Sequence, residues 1–423
     1  MKSIQMKDIN LRNSVIKKMA LMLLLLFFVF SILGCERHEP KYELVKPLYN
    51  KTLSKMNSSI DSLTDVTWND RADRFYYSQL PTAREKLVYL FIEKESEEYR
   101  EKIELFDIEL DSVWDVIAAV WADNPDLFWI YDAEAETFGY EGDRNKIRIS
   151  FKVPENIEQD MNEIERVADS FIASIPEDAT NYEKVKLIFD WIGDYTEYET
   201  GDRDQDIRSV FIDAKSVCAG FANSFQYICN KLNIPCACVT GWAERDYIED
   251  GNEYHEWNIV KIDGKTYWVD PTWGDSFLDE YGRYWPSNYN YLCMSDDDVE
   301  GIYRIDKKYR NFGGTMTYEY PKCPDDDLDY YRHMSDEKDM YFSEYDYEKV
   351  VEYIKNKFYS GETTGIALQF ANEEDFQDLV TRLLDWEDIF EIIWEVFPDY
   401  WDASVDSVQD NDFLYLCISI SLG

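Results

Sequence analysis

The stretch Lys215-Ser216-Val217-Cys218-Ala219-Gly220-Phe221-Ala222 places a thiol where an apolar helical period begins. From Ala219 onward, Ala222, Phe225, Cys229 and Leu232 recur at helical spacing, and the pattern stops before Pro235. Cys218 therefore opens a helix, where backbone N–H groups and the positive end of the macrodipole favour a thiolate. Ala219 and Gly220 leave room for a carbonyl to approach, and the N–H of Cys218 can donate to an oxyanion. Such a nucleophile needs a base. The chain has only three histidines. His38 sits in an N-terminal stub and His333 stands among Tyr330, Tyr331 and Arg332 in a polar connector, which leaves His255.

His255 belongs to Tyr254-His255-Glu256-Trp257-Asn258-Ile259-Val260, and a second run follows as Thr266-Tyr267-Trp268-Val269-Asp270-Pro271-Thr272-Trp273. Both read as strands, joined through Asp263-Gly264, a strong two-residue hairpin signal. With those two residues at the tip, cross-strand partners carry numbers that sum to 527, so Asp270 falls opposite Trp257. His255 and Asp270 become diagonal neighbours on one face, roughly 7–8 Å apart by backbone. A carboxylate so placed can hold one imidazole nitrogen and leave the other for the thiol. A cysteine beside Ala and Gly, taken alone, is more often a packing residue. The ordered set of three points to chemistry instead.

The elements that must position these groups are legible around them. Thr180 with Glu183 forms a capping box, and the helix that follows buries Val185, Ile188, Trp191 and Ile192. Upstream, 82–100 and Trp114–Trp121 read as helices, and 127–130 and 147–151 as strands. Pro154 opens a helix with Ile157, Met161, Ile164, Ala168 and Phe171 on one face, while 36–60 reads as helical or irregular. After about residue 300 comes a polar connector, and the last 80 residues read strand, helix, strand, helix, strand. Ile366–Phe370 and Phe413–Ile420 are its better strands, and Asn372 caps a helix carrying Phe376, Leu379 and Leu383.

A cysteine at a helix start, His-x-Trp opening a strand and Trp-x-Asp-x-Thr on the next together resemble the transglutaminase-like superfamily. The resemblance covers about 180–300. It implies an α+β fold similar to papain-type cysteine proteases, with the cysteine helix packed on an antiparallel sheet that carries the histidine and aspartate. By this resemblance Cys218 is the nucleophile, His255 the general base and acid, and Asp270 the residue that orients it. A second oxyanion donor is expected upstream, with Tyr195 and Tyr198 both open candidates. The implied substrates are peptide or glutamine-type amides, attacked to give a thioester. Hydrolysis is favoured over transamidation, because excluding water from a thioester demands a special architecture. The alternative is a surface-displayed binding module whose triad is a relic. The expected layout is a signal peptide at 1–34, an N-terminal α+β region at 35–172, the core at 173–300, a connector at 301–338 and a small α+β domain at 339–423.

Composition narrows the setting. The 423 residues hold 43 Lys plus Arg against 86 Asp plus Glu, a net charge of −43 that excludes phosphate-backbone binding. Basic residues lead into the apolar run Leu21–Leu33, too short to span a bilayer and of secretory h-region length. Ser31-Ile32-Leu33-Gly34-Cys35 resembles a bacterial lipobox, implying cleavage before Cys35, lipid on its sulfur and a cell-envelope location. Loss of residues 1–34 would take the charge to −47, and the lipid would tether an acidic body to a membrane face. That surface favours basic protein segments as partners, with cell-envelope peptides among the candidates. The other seven cysteines make no disulfide framework and read mostly as buried small hydrophobes, with room for one reactive thiol. No motif requires a cofactor or a metal. Asp202, Asp204, Asp206 and Asp213 have partial calcium-loop spacing, but Ile207 replaces the glycine the turn requires. The runs Asp296–Asp298 and Asp325–Asp327 read as solvated faces or turns.

Overall fold

The computed structural model describes residues 74–422, apart from 142–143, 245–252, 279–282, 309–313, 345 and 401. The expected signal peptide, Cys35, His38 and the segment 36–60 lie outside the described residues. The chain divides into two compact units. The first is Met1–Glu155 with Val239–His255 and Gly301–Glu319; the second is Asn156–Cys238, Glu256–Glu300 and Tyr320–Gly423.

The first unit opens with α1 (Phe75–Gln79) and α2 (Ala83–Glu97), the latter started by a Thr82/Glu85 capping box. Strand β1 (Lys102–Phe106) and helix α3 (Leu110–Asp123) follow. α3 packs on both α1 and α2 and buries Val113, Val116, Ile117 and Val120. Strands β2 (Glu134–Glu141) and β3 (Arg144–Ser150) complete an antiparallel sheet of order β1-β3-β2. Leu127–Ile130 is not the strand its apolar run implies. Pro125 starts a 3₁₀ segment, Pro125–Asp132, and all four apolar side chains are buried within it. An unbroken run of four buried residues carries no periodicity that separates a strand from a helical turn.

The second unit begins with α4 (Ile157–Ile172), which buries Ile157, Ile164, Val167, Ala168 and Phe171. Helix α5 (Asn181–Tyr195) starts at the Thr180/Glu183 capping box, with both reciprocal hydrogen bonds in place. Trp191 is only half-buried and stacks between Phe171 and Tyr195. Strand β4 (Glu197–Tyr198), helix α6 (Arg208–Phe211) and strand β5 (Lys215–Ser216) lead into α7 (Cys218–Lys231).

Strands β6 (Cys236–Ala243), β7 (Glu253–Ile262) and β8 (Lys265–Val269) form a sheet whose order, with β11 (Tyr303–Ile305), is β11-β6-β7-β8. The boundary between the units falls within β6 and β7. The hairpin register runs from Ile262↔Lys265 to Asn258↔Val269, each pair summing to 527 as expected. Asp263 and Gly264 both have positive φ, +50° and +92°, as the tight two-residue turn requires. Two short strands, β9 (Phe277–Leu278) and β10 (Tyr284–Trp285), pair antiparallel.

The acidic runs reach turns at Asp296–Asp298 and Asp327, with Asp297, Asp326 and Asp327 exposed, and several of their carboxylates also take partners. Asp298 accepts from Ser295 N and Arg332 Nη2, at 2.8 and 2.9 Å, and Asp296 accepts from Trp268 Nε1 at 3.1 Å. Tyr267 OH and Lys265 Nζ each donate to Asp327 at 2.9 Å, and Lys265 holds that carboxyl below its ordinary range. His333 is exposed. The C-terminal stretch supplies β12 (Tyr341–Phe342), α8 (Tyr347–Ser360), β13 (Ile366–Phe370), α9 (Glu373–Val380), α10 (Asp388–Val396), β14 (Ser404–Asp410) and β15 (Tyr415–Ser421). Its sheet order is β12-β13-β15-β14. Asn372 caps α9, and Phe376, Leu379 and Leu383 enter the core of this layer.

Candidate functional site

Cys218 is the first residue of α7 and is half-buried, whereas the six other described cysteines are buried. Burial pushes the Cys323 and Cys417 thiols up to about 12, and Cys293 and Cys236 well above the ordinary thiol range. Val217 precedes the helix in extended conformation and offers no side-chain cap. A Cβ on Gly220 would come within 1.9 Å of Ser216 Oγ and 2.3 Å of Ser209 Oγ, so this first turn sits hard against the pair those hydroxyls form. Only glycine fits there.

Two side-chain bonds tie α7 to β7. Asn223 Nδ2 donates to Glu256 Oε1 at 2.9 Å and to the Ala219 carbonyl at 2.7 Å. Asn258 Nδ2 donates to the Ala222 carbonyl at 3.0 Å. All three polar side chains are buried. The sequence reading does not single them out, although a polar residue recurring on an apolar face is the signal that marks such a tie.

His255 lies on β7 in the portion that belongs to the first unit, 3% exposed, its ring 6.4 Å from that of Tyr303. Cys218 and Asp270 belong to the second unit. Asp270 is fully buried just past the end of β8. The strand expected to continue to Trp273 stops at Val269 because the chain turns there. Asp270 Oδ1 accepts from the N–H groups of Thr272 and Trp273, both at 3.0 Å, and Gly274 N closes onto the Asp270 carbonyl at 3.1 Å. Pro271 has no N–H to give a ladder. The backbone of Asp270 is held from the other side by the Tyr291 carbonyl, 3.0 Å from its N–H.

Tyr198 pairs with Ser216 between β4 and β5, two residues before the nucleophile candidate. Tyr195 stacks on Trp191 with ring centroids 4.8 Å apart. Two of the four carboxylates with calcium-loop spacing, Asp206 and Asp213, bind arginines, and Asp204 accepts from Gly201 N at 3.0 Å. Arg203 binds Asp213 through two hydrogen bonds, at 3.0 and 2.6 Å, and Arg208 binds Asp206 at 2.9 and 2.7 Å. Among the described residues no group of three or more His, Cys, Asp or Glu side chains is arranged to hold a metal.

The turn after Asp270 carries an acidic pair. Ser276 Oγ and Tyr284 OH both donate to Asp194 Oδ1, at 2.7 and 2.9 Å, whereas the buried Asp275 Oδ1 has no hydrogen-bond partner. Burial first, and Asp194 second, raise the Asp275 carboxyl well above its ordinary value. A carboxyl raised by folding contributes stability below its unfolded pKa, and that contribution is lost as pH climbs through the raised value. Asp275→Asn should therefore unfold at a higher temperature than the parent, by a few degrees at neutral pH and by less in acid. Equal melting temperatures for the two proteins from acid to neutral pH would refute this.

The family described as the Transglutaminase-like superfamily matches residues 168–271. Kyphoscoliosis peptidase of Homo sapiens is 27% identical over 123 residues, 26% of this chain and 19% of the relative. Kyphoscoliosis peptidase of Mus musculus is 27% identical over 111 residues, 24% of this chain and 17% of the relative. The chain thus spans less than a fifth of the length of these curated relatives. A solved structure described as a TGase aligns over 40% of this chain and 50% of its own, at 18% identity and a TM-score of 0.24. The chain is α+β, and its matched segment resembles a transglutaminase-like core.

Proposed function

We propose that this chain is a cysteine enzyme of transglutaminase-like type that attacks peptide or glutamine-type amides through a thioester on Cys218. His255 takes the thiol proton and delivers it to the leaving amine, while Asp270 holds the other ring nitrogen. The observation that carries the reading is the thiol itself. Cys218 is the one half-open cysteine of the seven described, and it sits on the first residue of a helix whose N-cap supplies no side chain. Support comes from the register of β7 and β8. Trp257 and Trp268 stand in the same diagonal relation as His255 and Asp270, two residues nearer the turn, and their rings stack 5.9 Å apart. Tyr198, fixed beside Ser216, is the better of the two candidate oxyanion donors. The word peptidase in the names of both curated relatives favours water over an amine as the acceptor.

Alkylation tests the site before any substrate is known. Iodoacetamide on the native protein at about pH 6.5 should label Cys218 ahead of the other cysteines, and His255→Ala or Asp270→Ala should slow that labelling at least tenfold. Rates unchanged in both variants would leave Cys218 an ordinary thiol and favour a binding module instead. The reading also places the protein in the cell envelope, held by lipid on Cys35. Incorporation of a labelled fatty acid that Cys35→Ser abolishes is the expected result, and incorporation that survives the substitution removes the anchor.

A further inference from the structure

The turn joining α7 to β6 brings two further cysteines together. The Cys229 carbonyl accepts from Leu232 N at 3.1 Å and from Ile234 N at 2.9 Å, which folds the chain back over the last turn of the helix. Gln226 Nε2 reaches across to the Cys236 carbonyl at 3.2 Å. Both cysteine side chains are buried, on the helix turn and the strand start that these bonds hold together, and Cys229 is the neighbour that, after burial, raises the Cys236 thiol. Cys238 is buried two residues further along the strand, where Asn258 Nδ2 lies 3.5 Å from its sulfur.

We propose that Cys229 and Cys236 form a disulfide when the chain folds in the presence of a disulfide oxidant such as oxidised glutathione. The bond would fasten the C-terminal turn of the helix that begins at Cys218 to the start of β6. One protein thiolate attacks a glutathione disulfide sulfur, making a mixed disulfide and expelling a glutathione thiolate. The second protein thiolate attacks the protein sulfur of that intermediate and expels the other glutathione. Two protein thiols are oxidised, one glutathione disulfide is reduced, and the two protons end on the released glutathiones. Burial and the neighbouring thiol push Cys236 well above its ordinary range, so the folded, reduced chain offers little Cys236 thiolate. The exchange therefore belongs to the folding chain, before the turn closes over the pair.

The full chain, reduced and unfolded in urea, is refolded across a series of glutathione ratios, and remaining thiols are blocked with N-ethylmaleimide in denaturant. Trypsin cuts at Lys231, between the two cysteines, giving linked peptides 216–231 and 232–245; because these also hold Cys218 and Cys238, fragmentation of the linked pair assigns the bonded cysteines. The expected product joins the Cys229 and Cys236 peptides and is lost in Cys229→Ser and Cys236→Ser but kept in Cys238→Ser. The closed loop is short, and the oxidised protein should melt about 5 °C above the reduced one. Recovery of both residues as maleimide adducts at every ratio would overturn the proposal, as would a Cys229–Cys238 linkage. The mapping is made on the unaltered chain, so it decides the matter even if a variant fails to fold.

Discussion

Cys218→Ala should abolish amide turnover while leaving the melting temperature within a degree or two of the parent. Cys218 is only half-buried, so truncation of its side chain creates little cavity. Removal of the nucleophile from a covalent mechanism costs three orders of magnitude or more, because no other group can form the intermediate. His255→Ala should lose nearly as much, and Cys218→Ala/His255→Ala should be no worse than either single variant, since residues acting as a unit are non-additive. Unfolded casein and a glutaminyl peptide together cover the two amide classes, with new amino termini and released ammonia as readouts. Faster incorporation of an added amine than release by water would reverse the preference for hydrolysis. Full activity in Cys218→Ala would remove the proposed mechanism, and undiminished biological function in that variant would favour a partner-binding role.

Local rules are enough to read the frame around Cys218. The capping box at Thr180/Glu183 is a reciprocal pair of hydrogen bonds between residues three apart, and it forms as written. Asp263-Gly264 demands positive φ at both positions, which fixes the turn and with it the whole register of β7 and β8. Where the outcome depends on partners distant in sequence, the residues give weaker signals. Leu127–Ile130 goes to a 3₁₀ segment because burial on every side erases the alternation that marks a strand. Asp296, Asp298 and Asp327 lie in turns, one of the two readings their acidic runs allow, but their partners Trp268, Arg332, Lys265 and Tyr267 lie 28 to 62 residues away and leave no local signal. Asn223, Glu256 and Asn258 tie α7 to β7 through bonds spanning at least 33 residues. No window of sequence contains both ends of such a bond.

Asp123→Ala should be the most destabilising single substitution in the first unit, by about 3–5 kcal/mol. Asp123 closes α3, an unfavourable place for a negative charge beside the carbonyl end of the helix dipole. What offsets this is the start of another helix. Asp123 Oδ1 accepts from Tyr76 N at 3.1 Å and Oδ2 from Tyr77 N at 2.8 Å, both in the first turn of α1. Arg74 supplies no side-chain cap to its own helix, so the carboxylate caps α1 from 46 residues away. Tyr89 OH donates to the same Oδ2 at 3.2 Å, Asn124 Nδ2 donates to Tyr89 OH at 3.0 Å, and the Arg74 guanidinium bonds the Asp123 carbonyl. Truncation to alanine takes the acceptor from two buried N–H groups and a buried phenol, and takes from the half-buried Arg74 the carboxylate that acts on it most strongly. Asp123→Asn keeps the shape and one acceptor oxygen, and should lose about half as much. Denaturant unfolding measures both losses, and hydrogen exchange should show the amides of Tyr76 and Tyr77 losing protection first. A loss under about 1 kcal/mol in the alanine variant would mean that α1 is held by its apolar contacts with α3 and not by this carboxylate.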